Sequence, residues 1–213
     1  MVTLCADAIA RVCCLESPVP VRSWCIEGNL SGDKKASFRA FTRTRGKRVS
    51  AEVVLPAEIV ERVLRSSARE IAAYWRVAVV GGALSGTIGM IGHAANALAA
   101  LFLACGQDVA CVAEASTGLL RMEETPDGSL YVSVTLPNLV VGTVGGGTRL
   151  AGARECLALL GCAGEGGAKA FAEICAATVL CGEISIAAAM AAGHFTSAHA
   201  RLGRPGVLEE ARA

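Results

Sequence analysis

The feature that most constrains this chain is a long stretch, from Val77 to Gln107, that contains no Lys, Arg, Asp or Glu. Such a stretch either lies buried in a protein core or crosses a membrane, for which it is long enough. Its glycines and its polar residues, His93 among them, favour the core. A second apolar stretch, Ala176–Ala192, carries Glu183 in its middle, where a bilayer would make a carboxylate costly. We therefore predict a globular chain without a membrane span, and a small membrane protein is the alternative.

The composition excludes several classes of protein. The 213 residues carry 20 basic and 19 acidic side chains, and this balance argues against a nucleic-acid-binding surface. Hydrophobic residues make up 53% of the chain, so intrinsic disorder is not expected. With 24 glycines and 4% aromatic residues, alanine and glycine must fill much of the core, through closely packed helices and tight turns.

The ten cysteines need an explanation. They include no Cys-x-x-Cys pair, and the chain has three histidines, so no zinc-site pattern fits and we predict no metal site. A disulfide framework is not expected in a chain of this length without a recognisable signal peptide. We interpret the cysteines as small apolar residues on packed faces, in a reducing compartment.

Hydrophobic periodicity predicts a mixture of helices and strands with one continuous core after about residue 47. Gly81 and Gly82 are expected to interrupt the helical pattern that follows Pro56. We predict helices over residues 4–15, 57–75, 93–105, 149–160 and 168–193, and strands over residues 21–26, 49–54, 112–123 and 130–135.

A glycine-rich segment, Val141–Thr148, follows the last predicted strand and precedes a helix. Its three consecutive glycines lack a Cβ, so a ligand or another backbone can approach closely. Exposed N–H groups at the next helix start can receive an anion. The segment matches neither a Walker loop nor a Gly-x-Gly-x-x-Gly motif. On these grounds alone, a phosphate-proximal loop and a packing turn both stay open.

Other motifs occur in a fixed order along the chain. They are Asp33-Lys34-Lys35, Arg45-Gly46-Lys47, Gly86-Thr87-Ile88-Gly89, His93-Ala94-Ala95-Asn96, Ala104-Cys105-Gly106-Gln107-Asp108, Gly182-Glu183-Ile184-Ser185 and Ala191-Ala192-Gly193-His194, followed by His199. Together with Val141–Thr148 they resemble the motifs of 3-hydroxy-3-methylglutaryl-CoA (HMG-CoA) reductase, of the eukaryotic type. The resemblance covers about residues 28–201 and corresponds to the C-terminal portion of that catalytic domain.

The resemblance implies an α+β fold with a large CoA-binding domain and a small, ferredoxin-like NADP-binding domain inserted in it. Residues 1–32 would be a remnant of the small domain and residues 33–48 a connecting loop. Residues 49–203 would belong to the large substrate-binding and dimerisation domain, and residues 204–213 would form a tail. The implied partners are HMG-CoA and either a second copy of the chain or a complete reductase subunit. A cytoplasmic location is implied, although relatives are often anchored in the endoplasmic reticulum membrane.

The family reaction is a four-electron reduction, in which two hydrides from NADPH convert HMG-CoA through a hemithioacetal and mevaldehyde to mevalonate and free CoA. The resemblance implies that Lys34 stabilises the oxyanion formed at the thioester carbonyl, because a positioned ammonium offsets the developing charge. Asp108 would lie against Lys34 and favour its charged form. His199 would protonate the departing CoA thiolate, a general-acid role that suits imidazole. Without the resemblance, Lys34 would be interpreted as a surface lysine, Asp108 as a turn residue and His199 as a partly exposed histidine.

The remaining residues that the resemblance implicates bind substrate or cofactor. They are Asp33, Lys35, Asn96 and His93 for the hydroxymethylglutaryl group, Ile186 for an apolar wall, Arg65 for CoA, and Gly145, Gly146 and Gly147 for NADPH. A guanidinium can hold a phosphate through two hydrogen bonds, but an exposed helix arginine is the alternative for Arg65.

The sequence departs from the family pattern in several places. The Glu-Asn-Val-Ile-Gly segment, which supplies a catalytic glutamate, and the Asp-Ala-Met-Gly-Met-Asn cofactor loop do not occur in it. A substrate-binding serine is replaced by Glu27, and a substrate-binding lysine near position 76 is either replaced by Arg76 or lost. We therefore predict part of an HMG-CoA reductase that is inactive as an isolated chain. The alternative is an inactive fragment or paralogue that retains the fold and the dimer surface.

Overall fold

The structure is a computed structural model that describes residues 2–25, 31–42 and 45–194. These residues divide into two compact units, one that ends at Asp33 and one that begins at Lys34. The first unit contains helix α1 (Val2–Glu16), which confirms the helix predicted there. The strand predicted over residues 21–26 is not formed in residues 21–25, and Ile26 lies outside the described residues.

The second unit is built on a three-stranded antiparallel sheet. Its strands are β1 (Lys47–Leu55), β2 (Leu119–Glu124) and β3 (Leu130–Leu139), arranged in the order β1-β3-β2. The sheet is packed against helices, listed here in chain order: α2 (Arg39–Thr42), α3 (Ala57–Ile59), α4 (Ala68–Leu84), α5 (Ala94–Ala104), α6 (Val112–Ala115), α7 (Ala151–Leu159) and α8 (Ala168–Ala191). This mixture of helices and an antiparallel sheet confirms the α+β class.

Helix α8 is central to the core of this unit, where it packs against β1, β3, α4 and α5. Its inward positions combine large residues such as Phe171 with small ones such as Ala176, both 0% exposed, and this confirms the expected use of alanine as core filler. Among the described helices, α8 is the one long and apolar enough to cross a membrane, by length and composition only. Glu183 in its middle is 2% exposed and lies within the folded unit.

The helix predicted over residues 57–75 is wrong in its middle. Helix α3 continues as a π-helical turn, Val60–Leu64, which ends at Arg65 in the left-handed conformation with φ of 55°. A new helix, α4, then begins after Ser67. The Ser67 side chain accepts the backbone N–H of Glu70, and the Glu70 carboxylate accepts the backbone N–H of Ser67. This capping box starts α4 independently of the preceding turn.

The predicted interruption at Gly81 and Gly82 is also wrong, because α4 continues to Leu84. Gly82 serves a packing role instead. The Met90 sulfur occupies the space that a Cβ at Gly82 would need, and the Thr87 hydroxyl donates to the Gly82 carbonyl at 2.9 Å. The glycine therefore lets the loop after α4 fold back against the helix.

The strand predicted over residues 112–123 begins later than expected. Its first part forms α6, and β2 begins at Leu119 after the chain passes close to β3 at Gly118, where a Cβ would lie 2.9 Å from the Thr135 carbonyl oxygen. Strand β3 extends past Pro137 because the register with β1 shifts opposite it, between Lys47 and Val49. Such a bulge tolerates a residue without an N–H and redirects the neighbouring side chain.

Candidate active site

Lys34 and Asp108, which the resemblance pairs, are adjacent in the second unit. Lys34 Nζ lies 2.8 Å from Asp108 Oδ2, and the two side chains are 41% and 52% exposed, so a ligand can reach the ion pair. The hydrogen bond from Lys34 holds the pKa of Asp108 below its ordinary value. Asp108 therefore carries its negative charge at neutral pH, next to the lysine ammonium.

The turn after α5 fixes the orientation of Asp108. Its second carboxylate oxygen, Oδ1, accepts the backbone N–H of Ala110 at 3.1 Å and so caps the short 3₁₀ turn Val109–Cys111. Gln107, the preceding residue, exchanges two hydrogen bonds with the backbone of Gly142, each 2.9 Å long. The resemblance implies no role for Gln107, yet its amide joins the turn that carries Asp108 to the glycine-rich segment.

The glycine-rich segment contains glycines of two kinds. A Cβ at Gly147 would lie 2.5 Å from the carbonyl oxygen of Gly106, so this glycine is required for packing against the end of α5. Gly145 and Gly146 have φ of 84° and 55°, and a Cβ there would meet no atom of the described residues within 4 Å. Both line an open pocket of about 570 Å³ that Gln107 and Asp108 also border. Gly147 therefore belongs to a packing turn, while Gly145 and Gly146 leave open space beside it, and a phosphate-proximal role for them stays a prediction.

A buried carboxylate, Glu114 on α6, contacts the backbone of Lys34. It is 2% exposed and accepts the Lys34 backbone N–H at 3.1 Å. It also accepts hydrogen bonds from both Nε and Nη2 of Arg45 and from Asn138 Nδ2, the last at 2.8 Å. Burial on its own raises the pKa of Glu114, but these hydrogen bonds from Arg45, Lys34 and Asn138 outweigh it and leave the pKa below its ordinary value.

Lys34 needs such support because its backbone is strained. Its φ is 57°, in the left-handed region, which costs an L-amino acid about 1–2 kcal/mol. Asn138, placed at the β3 bulge, completes the arrangement: its Oδ1 accepts the backbone N–H groups of Arg45 at 3.1 Å and Gly46 at 2.9 Å. The sequence signal for Glu114 is a single carboxylate between Asp108 and Leu120 in an otherwise uncharged stretch.

His93 and Asn96 lie at the start of α5, in a second cluster. The Glu183 carboxylate accepts the backbone N–H groups of Gly92 at 3.0 Å and of His93 at 2.5 Å. A negative charge at this end of α5 is favourable because the helix dipole is positive there. Gly182 is required as well, because the His93 ring occupies the space of a Cβ at that position.

Ile186 lines a cavity of about 580 Å³, together with Glu183, Tyr74 and Trp75. Burial, followed by the charge of Glu183, raises the pKa of Tyr74 above its ordinary value. The Trp75 indole N–H donates to the Leu120 carbonyl oxygen at 2.8 Å. The cavity wall is therefore mostly apolar, with one buried carboxylate, and the role of Ile186 as a substrate wall stays a prediction.

Other candidate residues lie apart from these clusters or outside the described residues. Arg65 is exposed at the end of the π-helical turn, where it terminates the helix instead of lying within it as predicted. Lys35 is exposed beside Lys34, and Asp33 ends the first unit. His199 and Glu27 lie outside the described residues.

Neither a metal cluster nor a disulfide is seen in the described part of the chain. No group of three or more His, Cys, Asp or Glu side chains is arranged there to hold a metal ion. The ten cysteines are free thiols, of which Cys105, Cys111, Cys162 and Cys175 are buried.

Comparisons with known proteins agree on one family. A family model described as hydroxymethylglutaryl-coenzyme A reductase matches residues 1–204. The 3-hydroxy-3-methylglutaryl-coenzyme A reductase of Pyrococcus horikoshii is 46% identical over 212 residues, which cover 96% of this chain and 51% of that protein. The protein of the same name from Methanocaldococcus jannaschii is 45% identical, over 86% of this chain and 45% of its own length. The 3-hydroxy-3-methylglutaryl-coenzyme A reductase 1 of Oryza sativa subsp. indica is 38% identical, over 84% of this chain and 35% of its own length. The chain thus spans about half the length, or less, of these relatives.

Proposed function

This chain belongs to the hydroxymethylglutaryl-coenzyme A reductase family, and we propose that it supplies the oxyanion-stabilising part of an enzyme that reduces HMG-CoA to mevalonate. The observation that carries the proposal is the exposed ion pair of Lys34 and Asp108, whose charged atoms lie 2.8 Å apart. A carbonyl oxygen that gains negative charge during reduction is stabilised by a positioned cation. The pair offers that cation to a ligand.

The residues of the ion pair divide the work between them. The ammonium of Lys34 donates to the thioester oxygen and, in the second reduction, to the aldehyde oxygen. Asp108, which is held by Ala110 and ionised at neutral pH, keeps that ammonium charged and in place. His199 protonates the departing thiolate in this proposal, on the basis of the resemblance.

Substrate recognition is proposed for residues near the start of α5 and beside Lys34. Lys35 offers a second cation for the anionic glutaryl group, while His93 and Asn96 are positioned by the helix start that Glu183 holds. Ile186 provides an apolar wall. Arg65 is proposed to contact a CoA phosphate, and its exposure supports that role.

The cofactor is proposed to be NADPH, which supplies hydride when bound. Gly145 and Gly146 fit this role, because they border an open pocket and leave the space of a side chain free. Gly147 contributes by packing against Gly106 and not by contacting the cofactor. The identity of the nicotinamide cofactor as NADPH is tested by comparing its oxidation with that of NADH.

Several finer assignments stay proposals. They are the large-domain, connecting-loop and small-domain boundaries, self-association or pairing with a complete subunit, and a cytosol-facing location. Assignment of the chain to the eukaryotic type within the family also stays a prediction, because the matching relatives include archaeal as well as plant proteins. Size-exclusion chromatography and cell fractionation test association and location, respectively.

A second candidate is an inactive paralogue or fragment that retains the fold and a dimer surface. It is favoured by Glu27, a carboxylate at the position where the resemblance places a substrate-binding serine, because a carboxylate repels an anionic substrate. The two candidates differ in what they predict when the remaining portion of a reductase is supplied by another chain.

The test measures oxidation of NADPH with HMG-CoA, for the chain alone and together with the remaining portion of the Pyrococcus horikoshii reductase. Turnover in the mixture supports the enzyme, and association of the two portions without turnover favours the inactive paralogue. Absence of both turnover and association contradicts both candidates. In an active mixture, Lys34→Ala should lower kcat by roughly 10²–10³-fold. The matched control is Lys169→Ala, at an exposed position on α8, which should leave kcat unchanged. Wild-type turnover in Lys34→Ala would end the assignment of Lys34.

A further inference from the structure

We propose that Glu114 is a positioning residue for Lys34, because its buried carboxylate holds the strained Lys34 backbone from which the ammonium reaches Asp108. The inference deepens the proposed function and rests on it for the activity readout only. Its structural part, the restraint of the Lys34 backbone, stands on the contacts of Glu114 itself.

The first step concerns the conformation of Lys34. Its φ of 57° lies in a region that L-residues seldom adopt, so this backbone relaxes to another conformation unless its surroundings restrain it. The backbone N–H of Lys34 donates to Glu114 Oε1 at 3.1 Å, across 80 positions of the sequence. That hydrogen bond ties the strained residue to α6 in the folded core.

The second step concerns the rigidity of Glu114. Its carboxylate is almost fully buried, and both oxygens accept additional hydrogen bonds, from Arg45 and Asn138. Asn138 in turn accepts the backbone N–H groups of Arg45 and Gly46. Because each of these partners is itself held, the carboxylate cannot rotate away from Lys34 without breaking several hydrogen bonds at once.

The third step separates geometry from charge. The guanidinium of Arg45 forms an ion pair with the Glu114 carboxylate. The Lys34 ammonium forms its ion pair with a different carboxylate, that of Asp108, and Glu114 contacts Lys34 at its backbone N–H. Glu114 therefore acts on the ammonium chiefly through the position of the Lys34 backbone.

The fourth step distinguishes positioning from general support of the fold. If Glu114 acts through Lys34, removing the lysine side chain removes the catalytic consequence of moving it. Substitutions at the two sites are then non-additive in turnover, as expected for residues that act as one unit. A residue that merely stabilises the fold lowers turnover by the same factor whether or not Lys34 is present.

The first experiment follows amide hydrogen exchange of Lys34 in the full 213-residue chain. Glu114→Gln keeps the shape of the side chain but turns one acceptor oxygen into an NH₂ donor, which faces the N–H groups of Lys34, Arg45 or Asn138. We expect exchange at Lys34 to accelerate about 10-fold, with a larger effect in Glu114→Ala. The matched control is Glu123→Gln, which removes a carboxylate paired with an arginine on the exposed part of β2. Unchanged exchange at Lys34 in Glu114→Gln would overturn the proposal, and this holds even if Glu114→Ala does not fold.

The second experiment is a double-mutant cycle in the reconstituted reductase assay. With Lys34 present, Glu114→Gln should lower kcat about 10-fold, and in the Lys34→Ala background it should lower kcat less than about 2-fold. Equal factors in the two backgrounds would overturn the positioning role while leaving the proposed function intact. If Lys34→Ala itself retains wild-type turnover, the proposed function fails at Lys34, and the exchange measurement alone then decides whether Glu114 restrains the backbone.

Discussion

The imidazole ring of His93 occupies the space that a Cβ on Gly182 would need, so these two residues can only be accommodated together if position 182 is glycine. The contact joins the start of α5 to the middle of α8. It lies next to the Glu183 carboxylate, which accepts the backbone N–H groups of Gly92 and His93. One short stretch of α8 therefore determines both the backbone and the ring position of His93.

Gly182→Ala should displace His93 and destabilise the fold. Placing a methyl group in packed space typically lowers the free energy of unfolding by about 1–3 kcal/mol. Unfolding of the variant in urea measures this change. The matched control is Gly152→Ala on α7, where a Cβ meets no atom of the described residues within 4 Å. The free energy of unfolding of that variant should rise by about 0.4–1 kcal/mol, because alanine has fewer backbone conformations than glycine in the unfolded state. Equal stabilities of the two variants would contradict the His93 contact.

The Glu114 network should make stability depend on pH in the acidic range. The pKa of Glu114 is lowered in the folded state, so its stabilising contribution is fully present above the ordinary glutamate value of 4.5 and is lost as the pH falls through the folded-state pKa. Glu114→Gln should therefore cost about 1–3 kcal/mol at neutral pH and flatten the acid limb of the stability curve. Urea unfolding at a series of pH values measures both effects.

The control for that series is Glu123→Gln. Glu123 is also paired with an arginine, Arg121, but both side chains are about half exposed, at 57% and 45%. Exposed pairs contribute little to stability. A stability change as large for Glu123→Gln as for Glu114→Gln would show that burial is not what makes the Glu114 network important.

Cys175 should resist alkylation until the protein unfolds. Burial raises the pKa of its thiol to about 12, with smaller contributions from Cys105 and Cys162, so almost none of it is thiolate near pH 8. Cys181, six positions later on the same helix, is exposed and should react before Cys175. Mass spectrometry after timed treatment with iodoacetamide measures both rates. Modification of Cys175 at the rate of Cys181 would contradict the burial of this face of α8.

Local sequence patterns account for much of the fold. The spacing of apolar residues predicts β1, α5 and α8 with ends close to those observed. The break between α3 and α4 also has a local signal, since Ser67-Ala68-Arg69-Glu70 is a capping-box pattern. The hydrophobic periodicity that continues through Arg65 obscures it, because periodicity does not reveal a single left-handed residue.

The candidate site is predictable in part only. The motif containing Lys34 and the one containing Asp108 identify a pair by resemblance, but no local pattern reveals the hydrogen bonds around Glu114. Arg45 is 69 positions away from Glu114 along the chain, and Asn138 is 24 positions away on the other side. Such contacts depend on how β3 packs against α6 and on the bulge at Pro137. They become visible only in three dimensions.

His199 provides the last prediction, which rests on the resemblance and on the chemistry of the thiolate. Loss of CoA occurs in the first half of the proposed reaction, and a general acid is needed there to protonate the sulfur. Reduction of mevaldehyde involves no departing thiolate. In the reconstituted enzyme, His199→Ala should therefore lower kcat with HMG-CoA by about 10²–10⁴-fold and spare reduction of free mevaldehyde. The control is His194→Ala, at an exposed histidine after α8, which should leave the ratio of the two activities unchanged. Equal losses on both substrates in His199→Ala would argue that the histidine supports binding or folding and does not protonate the thiolate.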